Sequence, residues 1–392
     1  MSEQTIDVGL EFNPFAVTVL EDPATRVRRF DLSTFPRVES LLVGKPVTMM
    51  PDATKMLCGI CPVSHYLASM QALEELYGVS DLPETARLIR LVTHHASTVD
   101  TLAIRLPREM AQLAKQTAKA VNAVVGVRGH FPQHLVVGGV AAPADRTVVA
   151  AALVQLDELQ QALSRLPSQD LPEDRWEGRS VVLVDTDGQL DPLGRTAAVL
   201  DARGQVVSTF PTSEWTDHVV ESDPGAVTPR PRVDGVAYRV GPWARSRTGA
   251  AEWTIPQQVA AAAMALKELF GREELFATAP EALAVVHADD AITTTVGTGV
   301  VDTPRGILVH QYRVDQATGR VTGSLILTPT AQNEEWLSQL LTAASGEDAV
   351  ALALALETAV RMADPCVPAV NAPTGMMDVH VVNDDEPKRG EM

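Results

Sequence analysis

Apolar residues recur at helical spacing over several long stretches of this chain. Between Val63 and Tyr77 they repeat with the period of a helix, and Gly78 follows as a stop signal. A second helical pattern opens at Asp81 or Pro83 and runs to about Ala123; it includes Pro107, where a proline can bend a helix. The same reasoning predicts helices from an N-cap at Asp145 to about Leu166, from Pro256 to Phe270, and over residues 331–344 and 347–362.

Alternating apolar and polar residues predict strands in other segments. Short strands are expected within residues 1–35, a small β-meander over 180–213 and a hairpin over 306–327. Loops are predicted at 128–143, which is rich in Gly and Pro, and at 218–235, which is acidic and is expected to be mobile. The composition changes near residue 168. We therefore predict an α+β, predominantly helical fold, organised as one domain over residues 1–392 with a β-rich insertion at 168–250.

Composition and charge narrow the possible functions. Hydrophobic residues make up 45% of the 392-residue chain, and only 4% are aromatic, so we expect a large aliphatic core. The formal net charge of −18 argues against nucleic-acid binding, which needs a basic surface. The N-terminal residues lack a signal-peptide pattern, and the apolar run Ala349–Leu356 is too short to span a bilayer. We expect a cytoplasmic protein without membrane insertion.

The chain has three cysteines, and their spacing suggests chemistry. Cys58 and Cys61 form a C-x-x-C motif, His65 lies one helical turn further on, and Cys366 follows Asp-Pro near the other end of the chain. In a reducing compartment such a pair is more typical of a soft-metal site or a thiol redox pair than of a structural disulfide, and the pair alone does not decide between the first two. His65 is placed to hydrogen-bond to a thiolate or to bind as a ligand, although it could simply bond within its helix.

Several motifs together resemble the large subunit of [NiFe] hydrogenases, and they occur in that family's order along nearly the whole chain. They are Cys58-Gly-Ile-Cys-Pro-Val-Ser-His65, Arg128-Gly-His-Phe-Pro132 with Gly138-Gly139, Tyr238-Arg-Val-Gly-Pro-Trp-Ala-Arg245, Thr303-Pro-Arg-Gly306, His310-Gln-Tyr-Arg-Val-Asp315, Thr328-Pro-Thr-Ala-Gln-Asn333 and Asp364-Pro-Cys366. The resemblance implies a large-subunit-like fold and a metal centre held by cysteines.

The resemblance also implies a role for each thiol. Cys58 and Cys366 match positions that bind nickel alone, and Cys61 matches a position that bridges nickel to an iron carrying cyanide and carbon monoxide. The family's second bridging cysteine falls at Ala369, which cannot ligate, and its usual His falls at Ala372. The family's Arg before the first cysteine is replaced by Met56, with Lys55 beside it, and its N-terminal Glu would correspond to Glu11.

Losing one bridging thiolate disfavours a stable nickel–iron site. Iron that already carries its diatomic ligands is low-spin and soft, and two or three thiolates could hold it exchangeably. The resemblance places Arg305 over the metal, where a guanidinium can donate to a cyanide nitrogen, and Thr328 or Thr330 could donate to the other cyanide. For Arg305 the alternative role is a surface salt bridge.

This pattern is similar to the HupK/HoxV accessory proteins, which are thought to hold an Fe(CN)2CO unit during hydrogenase maturation. The resemblance implies a scaffold without turnover, carrying iron with little or no nickel. Expected partners are Hyp-type iron-delivery proteins and an apo large subunit. Two alternatives remain open: an atypical hydrogenase large subunit with a catalytic or regulatory role, and a C-x-x-C thiol redox protein.

Overall fold

The computed structural model describes residues 13–33, 38–127, 129, 131–167, 173–222, 228–250, 253–286 and 290–383. The chain divides into two compact units, one made of Met1–Thr34 with Trp336–Met392 and one made of Phe35–Glu335. The α-helices of the described residues are α1 (Glu39–Leu42), α2 (Met50–Thr54), α3 (Pro62–Leu76), α4 (Glu84–Ala103), α5 (Arg108–Val124), α6 (Val149–Leu163), α7 (Trp215–His218), α8 (Pro242–Arg245), α9 (Ile255–Phe270), α10 (Pro329–Gln332), α11 (Glu334–Ala343) and α12 (Ala349–Ala363).

Strands of the described residues form several small sheets rather than one large one. They are β1 (Ala16–Glu21), β2 (Arg28–Phe30), β3 (Leu135–Val136), β4 (Gly139–Val140), β5 (Arg179–Val184), β6 (Thr196–Leu200), β7 (Val206–Pro211), β8 (Val219–Glu221), β9 (Pro231–Val233), β10 (Tyr238–Arg239), β11 (Val296–Thr303), β12 (Gly306–Asp315), β13 (Arg320–Leu327) and β14 (Asp378–Asn383). Helices predominate over these short sheets, so the predicted α+β, mainly helical class is confirmed.

Helix α3 of the larger unit packs against β11, β12, α2 and α4. Pro62 opens it and nearly all of its residues are buried, as the apolar spacing predicted. Strand β11 packs directly on this helix, and a Cβ added at Gly297 or Gly299 would lie 2.1 or 1.8 Å from the carbonyl oxygens of Ala72 and Ala68. The glycines of β11 therefore allow the close approach that fixes helix α3 against the sheet.

A bundle of α4, α5, α6 and α9 builds the aliphatic core of the larger unit. The single helical stretch predicted from residue 81 to 123 is wrong in one respect: it forms two helices, and Pro107 precedes the second instead of bending one helix. Pro107 lacks an N–H group and its ring disfavours helical geometry in the residue before it, so the first helix ends and a new one begins. The predicted helix from Pro256 is confirmed, with Thr254 as its N-cap in a capping box.

The strand-rich region between residues 179 and 239 holds the predicted meander. Strands β5, β6 and β7 pair antiparallel, and β10 adds to β5 in parallel. The prediction of a mobile loop over 218–235 is wrong for its ends, because Val219–Glu221 and Pro231–Val233 pair as an antiparallel ribbon. Glu221 accepts the backbone N–H of Arg230, which helps to close this ribbon.

The predicted hairpin at 306–327 is confirmed as β12 and β13, and β11 extends it to a three-stranded antiparallel sheet. The turn between β11 and β12 carries Arg305. No helix within the described ranges is both long and apolar enough to cross a membrane.

The smaller unit joins the two ends of the chain. Strand β1 pairs in parallel with β14, with Ala16 opposite Asp378, and antiparallel with β2. Buried Arg28 lies 2.6 Å from Glu21 and donates to the carbonyl oxygens of Leu341 and Ala344, so it anchors the C-terminal end of α11.

Candidate metal centre

The C-x-x-C motif lies in the loop between α2 and α3. The Sγ atoms of Cys58 and Cys61 are 2.7 Å apart, without a disulfide, and the N–H of Cys61 donates to the Cys58 sulfur at 3.3 Å. Thr101 on α4 donates to the carbonyl oxygen of Ile60 at 3.1 Å, which ties the loop to the helical bundle. Both thiols are half-buried. Cys61 is also the N-cap residue of the buried helix α3, so the start of this helix fixes the backbone at the second thiol.

Cys366 follows helix α12 in the smaller unit. Helix α12 ends at Ala363, and the C-cap residue Asp364 has a left-handed conformation with φ of 47°. In the last turn of this helix, Arg361 donates to the carbonyl oxygens of Val370 and Ala372, which follow Cys366, at 2.9 and 2.7 Å. Arg361 also pairs with buried Glu357 at 2.7 Å. This guanidinium therefore holds the segment containing Cys366 in a compact turn against the end of its own helix.

The three cysteines are the candidate ligands for a metal ion. Cys58 and Cys61 lie in the larger unit and Cys366 lies in the smaller one, and each residue is half-buried. Three thiolates are a donor set for a soft metal. The thiol pattern read from the sequence thus fits a metal-binding group, while the metal's identity remains a prediction.

Two residues stand where the resemblance implies further metal-site side chains, and neither offers a ligand atom. Ala369 and Ala372 are 1% and 4% exposed, so methyl groups occupy these buried places. Met56 is exposed, and neighbouring Lys55 pairs with Asp52 while lying 5.4 and 5.1 Å from the ring centroids of Tyr66 and Phe131. The donor set is therefore poorer by one thiolate than two complete C-x-x-C pairs would provide.

His65 begins a chain of buried polar side chains that sequence reasoning missed. Its Nδ1 lies 3.0 Å from Nε2 of His310, whose Nδ1 lies 2.7 Å from the hydroxyl of Tyr312. That hydroxyl is 3.0 Å from the hydroxyl of Ser69 on α3. His310 and Tyr312 were visible in the sequence as part of the motif His310-Gln-Tyr-Arg-Val-Asp315. Their alternate positions on a strand did not indicate that His65 is the partner of His310.

Burial controls the protonation of these rings. Desolvation lowers the pKa of His65, although the charge of nearby Cys58 raises it, and desolvation with the neighbouring His65 holds the pKa of His310 well below its usual value. Burial also raises the pKa of the Tyr312 phenol above its ordinary value. At neutral pH the two imidazoles and the phenol are therefore uncharged.

Arg305 occupies a tightly packed turn. It is 5% exposed, and the Thr303 hydroxyl donates across the turn to the carbonyl oxygen of Gly306 at 2.7 Å. A Cβ on Gly241, which has φ of 90°, would lie 2.5 Å from the Arg305 carbonyl oxygen. Arg245 pairs with Asp302 at 2.8 Å and fixes the same region. The burial of Arg305 argues against the alternative of an exposed surface salt bridge, and its proposed contact with a cyanide stays a prediction.

The two candidate threonines differ in their surroundings. Thr328 is the N-cap of α10 and its hydroxyl oxygen accepts the N–H of Ala331 at 3.3 Å, which leaves the hydroxyl proton available. Thr330 lies within the same short helix and is buried. Their role toward a ligand remains a prediction. Glu11, Arg128 and His130 lie outside the described residues.

Comparison with known proteins supports the resemblance. Residues 37–105, which include Cys58 and Cys61, match the model of the nickel-dependent hydrogenase family. The chain is 26% identical to the coenzyme F420 hydrogenase subunit alpha of Methanothermobacter thermautotrophicus, over 80% of this chain and 81% of that protein. It is 24% identical to the sulfhydrogenase 2 subunit alpha of Pyrococcus furiosus, over 91% and 95% of the two chains.

Solved structures agree with this fold. The structure of an NAD+-reducing [NiFe]-hydrogenase in the H2-reduced state superposes with a TM-score of 0.71 at 22% identity, over 88% of this chain and 93% of that chain. The Ni-Fe-Se hydrogenase of Desulfomicrobium baculatum gives a TM-score of 0.66 at 15% identity, over 88% and 94%. The chain therefore has the fold of the large subunits of [NiFe] and [NiFeSe] hydrogenases.

Proposed function

We propose that this protein is a maturation scaffold, which binds an Fe(CN)2CO fragment through cysteine thiolates and passes it to the apo large subunit of a [NiFe] hydrogenase. The observation that carries the proposal is the pair of half-buried thiols of Cys58 and Cys61, 2.7 Å apart, together with buried alanines at 369 and 372 where the family's further ligands are expected. The iron fragment is cargo, delivered by Hyp-type proteins, and the scaffold has no turnover of its own. We expect it to act in the cytoplasm, where thiols stay reduced.

Different side chains of this protein would bind the iron and its cyanide ligands. Cys61, together with Cys58 and Cys366, would supply thiolate donors to soft, low-spin iron. Buried Arg305 would donate charge-assisted hydrogen bonds to a cyanide nitrogen, and Thr328 or Thr330 would donate to the other cyanide. Because a fourth thiolate is lacking, the fragment would remain exchangeable, which a transfer protein needs.

Infrared spectroscopy combined with metal analysis tests this proposal. Protein purified without oxygen should show cyanide and carbonyl stretches, in a spectral window free of protein bands, together with iron and little or no nickel. Cys61→Ala should abolish those bands. Ser64→Ala, a buried residue in the first turn of the same helix, serves as the matched control and should retain them. Unchanged bands in Cys61→Ala would place the iron elsewhere.

One rival follows from the comparisons. The curated relatives are hydrogenase subunits, so an atypical large subunit with a catalytic or regulatory role is the second candidate. It predicts stoichiometric nickel in freshly isolated protein and a stable iron–sulfur partner subunit. Finding that nickel would refute the scaffold and favour this alternative.

A redox role for the C-x-x-C pair is the remaining candidate, since Sγ atoms 2.7 Å apart could join as a disulfide. Disulfide formation would release two electrons and two protons to an oxidant. This function needs no iron, so thiol–disulfide exchange activity in iron-free protein at rates typical of dedicated oxidoreductases would support it. Absence of such activity, with infrared bands present, would favour the scaffold.

A further inference from the structure

A cleft of about 240 Å³ lies within the larger unit, where the helical bundle meets the strand-rich region. It is lined by residues of α4, α8, α9 and β5, and by the segments 190–192 and 302–304. The three cysteines are not among the residues that line it. An apolar cavity of about 150 Å³ is enough to bind benzene, so this cleft can hold a small organic molecule.

Gln258 brings an unused side-chain amide to this cleft. It follows the capping box of α9, and its backbone N–H donates to the carbonyl oxygen of Thr254 at 3.0 Å, so the start of the helix fixes its position. The residue is 5% exposed, and its Oε1 is buried without a hydrogen-bond partner among the residues that the structure describes. Native proteins rarely leave a buried amide unpaired. A ligand in the cleft could supply the missing partner.

The charged side chains at the cleft are already paired within the protein. Arg245 lies 2.8 Å from Asp302, and Arg87 lies 2.5 Å from Asp191. Burial, together with nearby charges that include Arg245, holds the pKa of His94 well below its usual value, so this ring is neutral at neutral pH. An ionic ligand would bring a charge without a counter-charge into a buried place, which is costly. These observations favour a neutral ligand.

Small apolar side chains form the wall beside Gln258. Helix α9 lines the cleft with Ala261, Ala262 and Ala265, and Leu183 and Leu190 line it from the strand-rich region. Because the alanine side chains are single methyl groups, they leave space that longer side chains would fill. The ligand should therefore carry a small apolar group next to its polar one.

We propose that this cleft binds a small neutral amide, either a primary carboxamide or a lactam, through two parallel hydrogen bonds to the side-chain amide of Gln258. The ligand would donate an N–H to the oxygen of Gln258 and would accept an N–H from its nitrogen. A trans peptide bond cannot make both bonds, because its N–H and C=O point in opposite directions. This site is separate from the proposed iron scaffold and needs no metal.

Ligand-detected NMR of metal-free, reduced protein tests the proposal with benzamide, N-methylbenzamide, methyl benzoate and benzoate. Benzamide offers both hydrogen bonds, the N-methyl amide and the ester can make only one, and benzoate carries a charge. Benzamide should bind, and each of the others should bind about 5- to 100-fold more weakly, because a buried group then loses its partner. Equal affinities for benzamide and methyl benzoate, or no binding of benzamide at its solubility limit, would overturn the proposal.

Two variants locate the binding site. Gln258→Met keeps the length of the side chain, removes the amide and should weaken benzamide binding about 5- to 100-fold. Gln155→Met is the matched control, because this glutamine of α6 bonds Glu158 at 3.2 Å and does not line the cleft, and it should leave the affinity unchanged.

A third variant keeps the test decisive if Gln258→Met does not fold. Ala261→Leu retains the amide, fills the cleft from the same helix and should abolish binding of benzamide. Wild-type affinity for benzamide in folded Gln258→Met, or in Ala261→Leu, would show that the amide binds elsewhere and would refute the site. Since every measurement uses metal-free protein, its outcome does not depend on whether the protein carries iron.

Discussion

Replacing Arg90 tests whether the buried ion pair between Arg90 and Glu74 fixes residues 136–139 to helices α3 and α4. Arg90 on α4 and Glu74 on α3 are 1% and 0% exposed and lie 2.6 Å apart. The guanidinium also donates to the carbonyl oxygens of Val136 and Gly139 at 2.8 and 3.1 Å, and Glu74 accepts the N–H of Gly138. Arg90→Met keeps the volume but leaves a buried carboxylate without its main partner.

Breaking one side of such a pair costs about 3–5 kcal/mol. The unit Phe35–Glu335 has about 300 residues, so its unfolding entropy is about 0.6 kcal/mol/K, at about 2.1 cal/mol/K per residue. The melting temperature should therefore fall by about 5–8 °C, toward the lower value if Arg195, 3.6 Å from the second Glu74 oxygen, compensates in part.

Differential scanning calorimetry of three variants tests the reasoning. Arg90→Lys keeps the charge but loses the planar fork and should show an intermediate loss. Arg146→Met, at an exposed pair with Glu273, is the matched control and should change the melting temperature by no more than about 1 °C. If Arg90→Met lowers the melting temperature by less than about 2 °C, or if Arg90→Met and Arg146→Met lower it equally, the buried-pair argument is refuted.

Further predictions concern the site turn, a helix cap and acid stability. Gly241→Ala, at φ of 90° and with its Cβ 2.5 Å from the Arg305 carbonyl oxygen, should lose about 1–3 kcal/mol and part of the iron, measured by calorimetry and metal analysis. Arg305→Ala should lose most of the cofactor without unfolding and Arg305→Lys should keep part of it with shifted cyanide stretches; full loading with a lowered melting point would remove Arg305 from the site. Thr254→Ala removes a capping box and should cost about 1 kcal/mol in thermal unfolding, whereas Thr254→Asn should not. Burial, with the charge of nearby Arg90, lowers the pKa of His134 from 6.5 to about 4, so its contribution to stability is present above pH 6.5 and is lost as the pH falls to 4; His134→Gln should flatten that slope by about 1.4 kcal/mol per pH unit in acid titrations of stability, and an unchanged slope would contradict it.

Local signals explain which elements the sequence predicted well. Helix α9 has a capping box at Thr254 and Gly271 after its end, and helix α3 is bounded by Pro62 and Gly78, so both were predicted to within about a residue. Strand β11 was missed because its alternating glycines look like a loop. The structure shows why Gly297 and Gly299 are glycines, because they allow β11 to approach helix α3 closely.

Parts of the candidate site depended on contacts between distant residues. The thiols are candidates from the sequence because their residue types and spacing are specific. Arg305 is a candidate because it stands in an unbroken motif, and its role stays a prediction. The pairing of His65 with His310 could not be predicted, since a helix residue and a strand residue 245 positions apart share no local pattern. The chain from His310 to Ser69 is likewise defined by hydrogen bonds that no periodicity encodes.

The parallel pairing of β1 with β14 has a consequence for synthesis of the protein. Ala16 leaves the ribosome long before its partner Asp378, and at about 5–20 residues per second the delay is roughly 20–70 s. The smaller unit therefore cannot complete its sheet until Asp378 has been made. During most of that interval Cys58 and Cys61 have already been made and Cys366 has not, so any ligand set that includes Cys366 forms late in synthesis or after it.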